Sequence, residues 1–233
     1  MKYAVVFSAL GLLCALYAIE ANALWLRLFF LSLALCWLGV GLAYAGLGGR
    51  IFGKRRDGKL PLWNVLFWPF HLLNFALLSA FRRGGKENRF DRIADNIYLG
   101  CQPSPRDENE LVPQNIRSVL DLTCEFSEPR FLRRLNYRSI PLLDTRAPTL
   151  EQLQDGANFL AQNAAIGPVY VHCALGHGRS ALFVAAYLLQ SGQAKSPHEA
   201  IELMRAHRPR IGLHPVQLAV LERFAHAQSA TTH

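Results

Sequence analysis

The chain has 233 residues, of which 51% are hydrophobic, and its formal net charge is +8. Residues 1–87 carry 10 Lys and Arg against 3 Asp and Glu, whereas residues 88–233 are nearly balanced, with 15 against 14. Nucleic-acid binding requires a basic stripe on a folded domain, which the balanced second part does not offer. The five cysteines show no paired spacing, so the sequence predicts neither a zinc site nor a disulfide framework.

Two uncharged apolar runs open the chain. Residues 3–19 form a run of 17 and residues 28–49 a run of 22, close to the roughly 20 residues that a helix needs to cross a bilayer. We expect two transmembrane helices, joined at residues 20–27 as a hairpin. An alternative for the first run is a cleaved signal peptide, because Lys2 and the small residues at 21–23 suit a leader.

The segment that follows the second run, residues 50–59, is the most basic stretch of the chain. Basic loops beside membrane helices remain in the cytoplasm. We therefore expect everything after this segment to begin in the cytoplasm, whether or not the first run is cleaved. The chain is predicted to be an integral protein, of the cell membrane, with residues 88–233 on the cytoplasmic side.

A third uncharged run covers residues 60–81 and has 22 residues. Basic residues flank it on both sides, where a spanning helix should show a bias, and Pro69 interrupts it. Trp63 and Trp68 carry rings that prefer the membrane interface. We favour a helix that lies in the interface over a third span, and both over a core helix packed on the domain that follows. His71 is interpreted as structural or lipid-facing.

The sequence thus divides into a membrane anchor at residues 1–87 and a folded domain at residues 88–233. The mixed-charge, glycine-containing segment at 82–88 is the natural linker, and residues 229–233 are expected to be a frayed tail. Because the second part is long enough to build one core, we expect it to stay folded, and to keep whatever activity it has, when residues 1–83 are removed.

Strand and helix patterns alternate after the linker. Runs rich in β-branched and aromatic residues predict four strands, at residues 96–100, 116–122, 137–143 and 168–172. A capping box and prolines at first helical positions are helix-start signals, and helices are predicted to begin near Thr149, Arg179, Ser196 and Pro215. This alternation indicates an α/β fold with a mostly parallel central sheet flanked by helices.

The segment from His172 to Ser180 joins a predicted buried strand to a predicted buried helix and reads His-Cys-Ala-Leu-Gly-His-Gly-Arg-Ser. At such a junction, backbone N–H groups and the helix N-terminus can bind a phosphate dianion. Gly176 and Gly178 are expected to permit the close backbone approach that this requires. The same field shifts Cys173 toward the thiolate, which attacks phosphorus near neutral pH.

Further side chains of this segment suit phosphate chemistry. Arg179 can bind two phosphate oxygens as a fork, and Ser180 can donate a hydrogen bond to the sulfur of Cys173. His172 is interpreted as a support of the loop, and His177 as a residue that either touches substrate or faces solvent. A buried cysteine beside a glycine turn is usually only a small apolar residue. Here a cysteine, two glycines, an arginine and a serine occur together in the order that phosphate chemistry needs, which favours a catalytic cysteine.

This pattern of His-Cys, five residues and Arg-Ser resembles the signature of the cysteine-dependent dual-specificity phosphatases, within the protein tyrosine phosphatase superfamily. The resemblance covers about residues 89–227, and residues 97–100 and 115–121 are similar to the first and central strands of that family. It implies a phosphatase with Cys173 as nucleophile and a phosphocysteine intermediate. It also implies a phosphate-binding loop made of Ala174, Leu175, Gly176, His177 and Gly178, closed by Arg179.

In that family an aspartic acid on a separate upstream loop is the general acid. The matching position is Asp144, 29 residues before Cys173. The chemistry also calls for such a carboxyl group, because the leaving oxygen needs a proton. Asp121 and Asp155 are interpreted as structural residues. No metal and no cofactor is expected.

The motif does not separate phosphoprotein from phospholipid substrates, because the superfamily contains enzymes for both. The predicted anchor and the Gly-His-Gly of the loop favour a phospholipid headgroup, whereas the apolar Ala174 and Leu175 disfavour a highly charged polyphosphoinositide. The expected function is hydrolysis of phosphate monoesters at the membrane surface. The alternative is a membrane-tethered pseudophosphatase that binds phosphorylated partners without turnover. Such proteins usually lose the cysteine, the arginine or the acid, and this chain has candidates for all three.

Overall fold

The computed structural model describes residues 2–85 and 87–231, with side chains described up to residue 228. Lys86 and the side chains of the expected tail at residues 229–233 therefore lie outside the described residues. Helices and turns make up the first 83 residues of the described chain, and a sheet with its surrounding helices makes up the remainder. We refer to these two portions as the anchor and the catalytic part.

A helical hairpin begins the anchor. It consists of α1 (Lys2–Glu20) and α2 (Leu24–Leu42), and both are long and apolar enough to cross a membrane. The two helices approach closely at small residues: a Cβ atom at Gly11 would lie 2.8 Å from the backbone nitrogen of Leu38. The predicted pair of helices is present, although α2 begins at Leu24 rather than at residue 28.

Glycines shape the connection between the hairpin and the catalytic part. The chain continues from α2 as a π-helical turn at Ala43–Leu47 and a 3₁₀ turn at Gly48–Phe52. Gly48 and Gly53 have φ angles of +69° and +64°, in the left-handed region that glycine adopts without a steric penalty. This segment brings the chain from a membrane-length helix onto the surface of the catalytic part.

The third apolar run forms a 3₁₀ turn at Leu62–Phe67 and then α3 (Trp68–Arg83). Phe70 and Leu78 are buried, and the Nδ1 atom of His71 lies 2.9 Å from the carbonyl oxygen of a residue in the catalytic part, Glu125. The other side of the helix exposes the apolar residues Leu72, Leu73, Phe75 and Leu77. Packing on the catalytic part, which the sequence disfavoured, is therefore present, and His71 is a structural residue.

The catalytic part is built on a five-stranded sheet with the strand order β1-β2-β5-β3-β4. Four strands run parallel, and β1 pairs antiparallel with β2 at one edge. The predicted α/β fold with a mostly parallel sheet is confirmed. The strands are β1 (Phe90–Ala94), β2 (Ile97–Gly100), β3 (Ser118–Thr123), β4 (Asn136–Leu142) and β5 (Val169–His172).

Helices pack on the sheet and complete the largest hydrophobic cluster of the described chain. The capping box predicted at the start of α6 (Leu150–Ala164) is present, because Thr149 and Gln152 each accept a hydrogen bond from the other's backbone N–H. α7 (Arg179–Gln190) is buried along most of its length, as its apolar sequence predicts. The helices are α4 (Glu108–Leu111), α5 (Arg130–Arg133), α6 (Leu150–Ala164), α7 (Arg179–Gln190), α8 (Pro197–Arg205) and α9 (Pro215–Thr231).

The anchor and the catalytic part share a second hydrophobic cluster. Phe52 of the anchor is fully buried there, in the same cluster as Cys124 and Leu143 of the catalytic part. The backbones also approach closely, since a Cβ atom at Gly49 would lie 2.8 Å from the carbonyl oxygen of Pro141. The two portions are thus joined through packed side chains as well as through the linker.

Lys54 belongs to the basic segment that we expected at the cytoplasmic surface, but its side chain is fully buried. Its Nζ atom lies 2.5 Å from a carboxylate oxygen of Asp121 and 2.7 Å from the hydroxyl oxygen of Thr123, both on the central strand β3. Removing residues 1–83 would thus remove a buried cation from the catalytic part, so the expected activity of the shortened chain stays a prediction. The anchor supplies a charge to the interior of the catalytic part.

Candidate active site

Cys173 begins the turn between β5 and α7, at the strand-to-helix junction where the sequence predicts a phosphate loop. The residue is only 3% exposed. The backbone N–H of Gly176 and the hydroxyl group of Ser180 each donate to the sulfur atom across 3.3 Å. The hydrogen bond expected from Ser180 is thus present, together with a backbone donor that the motif alone did not specify.

The loop requires glycine at one of the two predicted positions. Gly176 has a φ angle of +78°, and a Cβ atom there would lie 2.5 Å from the backbone of Gly100. Gly178 has a φ angle of −110°, which other residues also adopt, and a Cβ atom there would meet nothing closer than 3.5 Å. The close backbone approach that we expected for both glycines therefore occurs only at Gly176.

Arg208 holds the peptide groups of the loop in position. Its buried guanidinium group donates to the carbonyl oxygens of Leu175 and Gly176, each across 3.3 Å. Asp91 in turn accepts a hydrogen bond from Arg208 across 2.6 Å. Because these two carbonyls already have donors, their peptide orientations are fixed before any anion binds. Arg208 lies far along the chain from the motif, and the sequence analysis did not identify it.

Arg179 is the first residue of α7, and only 1% of its surface is exposed. The carboxylate of Glu125 accepts hydrogen bonds from both terminal nitrogens, across 2.7 Å and 3.0 Å, and the carbonyl oxygen of Leu142 accepts another across 2.8 Å. The Nε atom has no hydrogen-bond partner among the described residues. The guanidinium plane is therefore fixed, and its Nε–H remains available to a phosphate oxygen.

Glu125 is a second residue that the sequence analysis missed. It lies just beyond the carboxyl end of β3, and this edge of a parallel sheet is where ligand sites form in α/β proteins. That position is the signal that could have identified it.

The electrostatic environment favours the ionised form of Cys173. Burial raises the pKa of the thiol, but the charge of Arg179 and the hydrogen bonds from Ser180 outweigh it, so the pKa lies below its ordinary value. A thiolate within an anion-binding loop is a competent nucleophile near neutral pH. The residues that lower this pKa are the ones that the motif placed around the cysteine.

Asp144 lies at the same pocket as the cysteine. Its carboxylate oxygen is 3.5 Å from the Nε atom of Arg179, and 64% of the side chain is exposed. The next residue, Thr145, has a φ angle of +61°, which is uncommon for a β-branched residue and turns the chain sharply here. The pocket has a volume of about 200 Å³ and is lined by Asp144, Thr145, Cys173, Ala174, Leu175, His177, Gly178, Gly212, His214 and Gln217.

His172 lies in a buried charged cluster next to the loop. Its Nε2 atom is 3.2 Å from the carboxylate of Glu128 and 3.9 Å from that of Asp121. Burial lowers the pKa of His172, but these two carboxylates outweigh it and the pKa is raised. The imidazole is fully buried and does not line the pocket, so its position is that of a supporting residue.

The same cluster contains three potential metal ligands. Asp121, Glu128 and His172 offer ligand atoms that all lie within 4.8 Å of one another. The ammonium group of Lys54 already contacts Asp121, so the protein itself supplies a positive charge there. Burial raises the pKa of Asp121, but Lys54 and His172 outweigh it and hold that pKa well below its usual range.

His177 connects the loop to the anchor. Its Nε2 atom is 2.5 Å from the carboxylate of Glu87, and its ring meets the ring of Phe81 edge-on, with the centroids 5.4 Å apart. Phe81 belongs to α3, so the last turns of this helix touch the phosphate loop directly. His177 also lines the pocket. Neither of the two positions that we considered for His177 included a contact with the anchor.

The family model and the relatives that match this chain all belong to one family of phosphatases. The family model for the dual specificity phosphatase catalytic domain matches residues 97–226, more than half of the chain. The human phosphatidylglycerophosphatase and protein-tyrosine phosphatase 1 is 36% identical over 180 residues, which cover 70% of this chain and 86% of that protein. The phosphatidylglycerophosphate phosphatase PTPMT2 of Arabidopsis thaliana is 31% identical over 197 residues, which cover 80% of this chain and 77% of that protein.

A solved structure has the same fold. The crystal structure of PTPMT1 in complex with PI(5)P is 30% identical in sequence, with a TM-score of 0.58, and its match covers 63% of this chain and 100% of that chain. The fold, the loop and these relatives agree on one chemistry, that of a cysteine-based phosphatase. The chain belongs to the dual-specificity phosphatase family.

Proposed function

We propose that this phosphatase removes the monoester phosphate from a phospholipid headgroup at a membrane surface, with phosphatidylglycerophosphate as its substrate. The observation that carries the proposal is the contact between Phe81 of α3 and His177 of the loop. It brings the pocket next to a helix whose outer face is apolar. The names of the human and Arabidopsis relatives refer to the same phospholipid.

The proposed reaction has two steps. The thiolate of Cys173 attacks phosphorus while the bond from phosphorus to the headgroup oxygen breaks, and Asp144 gives that oxygen its proton. Arg179 and the loop N–H groups hold the phosphoryl oxygens throughout. Water then attacks the phosphocysteine, the Asp144 carboxylate accepts a proton from that water, and Ser180 donates a hydrogen bond to the returning thiolate. The products are inorganic phosphate and the dephosphorylated lipid.

The pocket suits a single phosphate better than several. Among the described residues, no lysine or arginine lines it, and the buried Arg179, whose Nε atom is 3.5 Å from the pocket residue Asp144, is the one cation proposed to reach a bound phosphate. A polyphosphoinositide would bring additional phosphates that need cations of their own. A headgroup with one monoester phosphate needs no further cations in the pocket, which favours phosphatidylglycerophosphate over more highly phosphorylated lipids.

In the proposed arrangement, α1 and α2 cross the membrane and α3 lies in its interface. One face of α3 packs on the catalytic part while the other exposes apolar side chains, a distribution that suits a helix lying in the plane of the interface. Arg50, Arg55 and Arg56 of the basic segment are exposed, and such residues favour the cytoplasmic side.

The proposal is tested with the full-length protein reconstituted into bilayers. Phosphate release is measured from phosphatidylglycerophosphate in the same bilayer and from a soluble phosphotyrosine peptide. We expect kcat/KM for the lipid to exceed that for the peptide by at least about tenfold, which corresponds to 1.4 kcal/mol. A ratio below one would favour a phosphoprotein substrate, and turnover of neither would favour a pseudophosphatase.

A further inference from the structure

A groove separates α3 from the segments at residues 102–107 and 126–129 of the catalytic part. Its volume is about 690 Å³. The α3 wall is formed by residues spaced as i, i+3, i+4, i+7 and i+8, which places them on one face of the helix. These residues are Phe75, Leu78, Ser79, Arg82 and Arg83. We call this feature the α3 groove.

The α3 groove changes character along its length. Phe75 and Leu78 make the early part of the helix wall apolar, and Pro103, Phe126 and Pro129 are among the residues of the opposite wall. The last turn of α3 is cationic instead. Helix geometry gives about 12 Å from Phe75 to Arg83, somewhat less than the roughly 15 Å hydrocarbon thickness of one leaflet.

Arginines outnumber carboxylates at the cationic end. Asp107 accepts hydrogen bonds from Arg82 and Arg89 across 2.5 Å and 2.9 Å. Arg89 also contacts the carboxylate of Glu110, across 2.5 Å. Two more arginines line the groove, Arg83 and Arg106. Both are exposed, and neither forms an ion pair within the described part of the chain.

The groove is connected to the phosphate loop by two hydrogen bonds. Arg82 donates from Nη1 to the carbonyl oxygen of Gln102 across 2.9 Å. The backbone N–H of Gln102 donates to the carbonyl oxygen of Ala174, also across 2.9 Å. Gln102 is 3% exposed, so this connection is buried. A ligand at the arginines therefore lies close to the active site without entering its pocket.

We propose that the α3 groove binds one anionic glycerophospholipid of the surrounding bilayer. The phosphodiester pairs with Arg83 and Arg106, and the upper part of one acyl chain lies against Phe75 and Leu78. The surplus of positive charge suits an anion, and the apolar wall next to it suits a hydrocarbon chain on that same molecule. This site rests on the proposed interfacial position of α3, but it is separate from the active-site pocket, because no described residue lines both. A phosphodiester lipid also carries no monoester to hydrolyse.

The bilayer is the source of this ligand because of where the groove opens. Phe75, at its apolar part, is 63% exposed and stands on the same helix as the exposed Leu72 and Leu77. A lipid in the interface can therefore reach the groove without passing through water. A soluble phosphate would satisfy the arginines but would leave the apolar wall uncovered.

The test uses full-length protein in detergent and phosphatidylserine as the probe, with binding followed by native mass spectrometry. We expect Arg83→Gln combined with Arg106→Gln to weaken binding by about thirtyfold, from about 1 kcal/mol for each arginine near an anionic lipid. The matched control, Arg55→Gln with Arg56→Gln, removes two exposed arginines of the basic segment that do not line the groove and should weaken binding far less. Hydrolysis of a soluble aryl phosphate should be normal in both double variants, because neither pair lines the pocket.

Two further arms separate the groove from other sites. Ser79→Phe fills the groove without changing its charge and should also weaken phosphatidylserine binding, whereas orthovanadate in the active site should not displace the lipid. The inference is overturned if vanadate displaces phosphatidylserine, if the control variant loses as much binding as the groove variant, or if phosphatidylcholine binds equally well. These outcomes are independent of whether phosphatidylglycerophosphate is hydrolysed.

Discussion

Arg179 depends on Glu125 for its orientation in the active site. The guanidinium group is 1% exposed, and a buried charge without a partner is strongly destabilising. Glu125 offsets that cost and accepts one hydrogen bond from each terminal nitrogen. The Nε–H and the second N–H of Nη2 are the part of the fork left for substrate. The arginine therefore enters catalysis already oriented, and the carboxylate that orients it comes from a loop outside the motif.

Replacing Asp144 should affect substrates according to their leaving groups. Asp144→Asn removes the proton donor, and general acid catalysis contributes about 10² to 10⁴ in rate. We expect a loss of that order for an alkyl phosphate and a much smaller loss for nitrophenyl phosphate, whose leaving group needs little protonation. Steady-state kcat on a series of leaving groups measures the difference.

Two observations would contradict this assignment. An equal loss on good and poor leaving groups would make Asp144 a structural residue. The comparison variant, Cys173→Ser, should abolish turnover on every substrate, since it removes the proposed nucleophile.

Ser180→Ala should shift the pH dependence of the reaction. The hydrogen bonds from Ser180 help to hold the pKa of Cys173 below its ordinary value, and the reacting form is the thiolate. Without the hydroxyl group the pKa rises, so the acidic limb of kcat/KM should move to higher pH. A pH profile measured with nitrophenyl phosphate gives this limb. If it stays in place while kcat falls, Ser180 acts only in the hydrolysis of the intermediate.

At the scale of elements, the four predicted strands are present with boundaries shifted by a few residues. β1 (Phe90–Ala94) was not predicted, because only Ile93 of this edge strand is buried and the period-two pattern is weak. Turn and cap signals are local in sequence, so the sequence predicted the start of α6 correctly. The strand-to-helix position of the phosphate loop was predictable for the same reason.

The missed residues share one physical cause. Glu125 contacts a residue 54 positions away, Lys54 one 67 positions away, and Arg208 one 117 positions away. Such contacts depend on how complete helices and strands pack together, so the pattern of residues within a short stretch of sequence does not predict them. The charge of Lys54 even predicted an exposed side chain, since basic segments beside membrane helices are usually solvated.

The segment between α2 and α3 should be needed for stability because of Lys54. Lys54→Met leaves Asp121 buried without its closest cation, and breaking a buried ion pair costs about 3 to 5 kcal/mol. We expect a clear fall in the melting temperature of the full-length protein in detergent. The matched control is Arg55→Met, because Arg55 is 66% exposed and pairs only at 3.7 Å with Asp57.

The control should change stability by less than about 1 kcal/mol, as exposed ion pairs do. Adding Asp121→Asn to Lys54→Met should restore part of the loss, because the remaining buried charge is then removed. Equal melting temperatures for Lys54→Met and the wild type would show that the anchor contributes nothing through this contact.

For the whole molecule, the described contacts connect the anchor to the catalytic centre. Phe52 and Lys54 enter the catalytic part, and Phe81 touches the phosphate loop. The pocket therefore keeps a fixed relation to α3, and through α3 to the proposed bilayer surface. Under the proposed topology, a phosphate that projects from a lipid headgroup would meet the loop without leaving the membrane.

The proposed topology predicts the location of the C-terminus. If α1 and α2 cross the membrane and α3 does not, a reporter fused after His233 should be active only on the cytoplasmic side. Activity restricted to the opposite side would require α3 to cross the bilayer. It would then have to leave its packed position beside Glu125 and the phosphate loop.

The central claim is that Cys173 takes the phosphate directly from a lipid in the bilayer. The most direct measurement is an acid quench of the full-length protein after mixing with bilayers that contain phosphatidylglycerophosphate labelled in its monoester phosphate. We predict covalent label on the peptide that contains Cys173, and none in Cys173→Ser. Release of labelled phosphate without any label on that peptide, or label from a phosphopeptide but not from the lipid, would contradict the account.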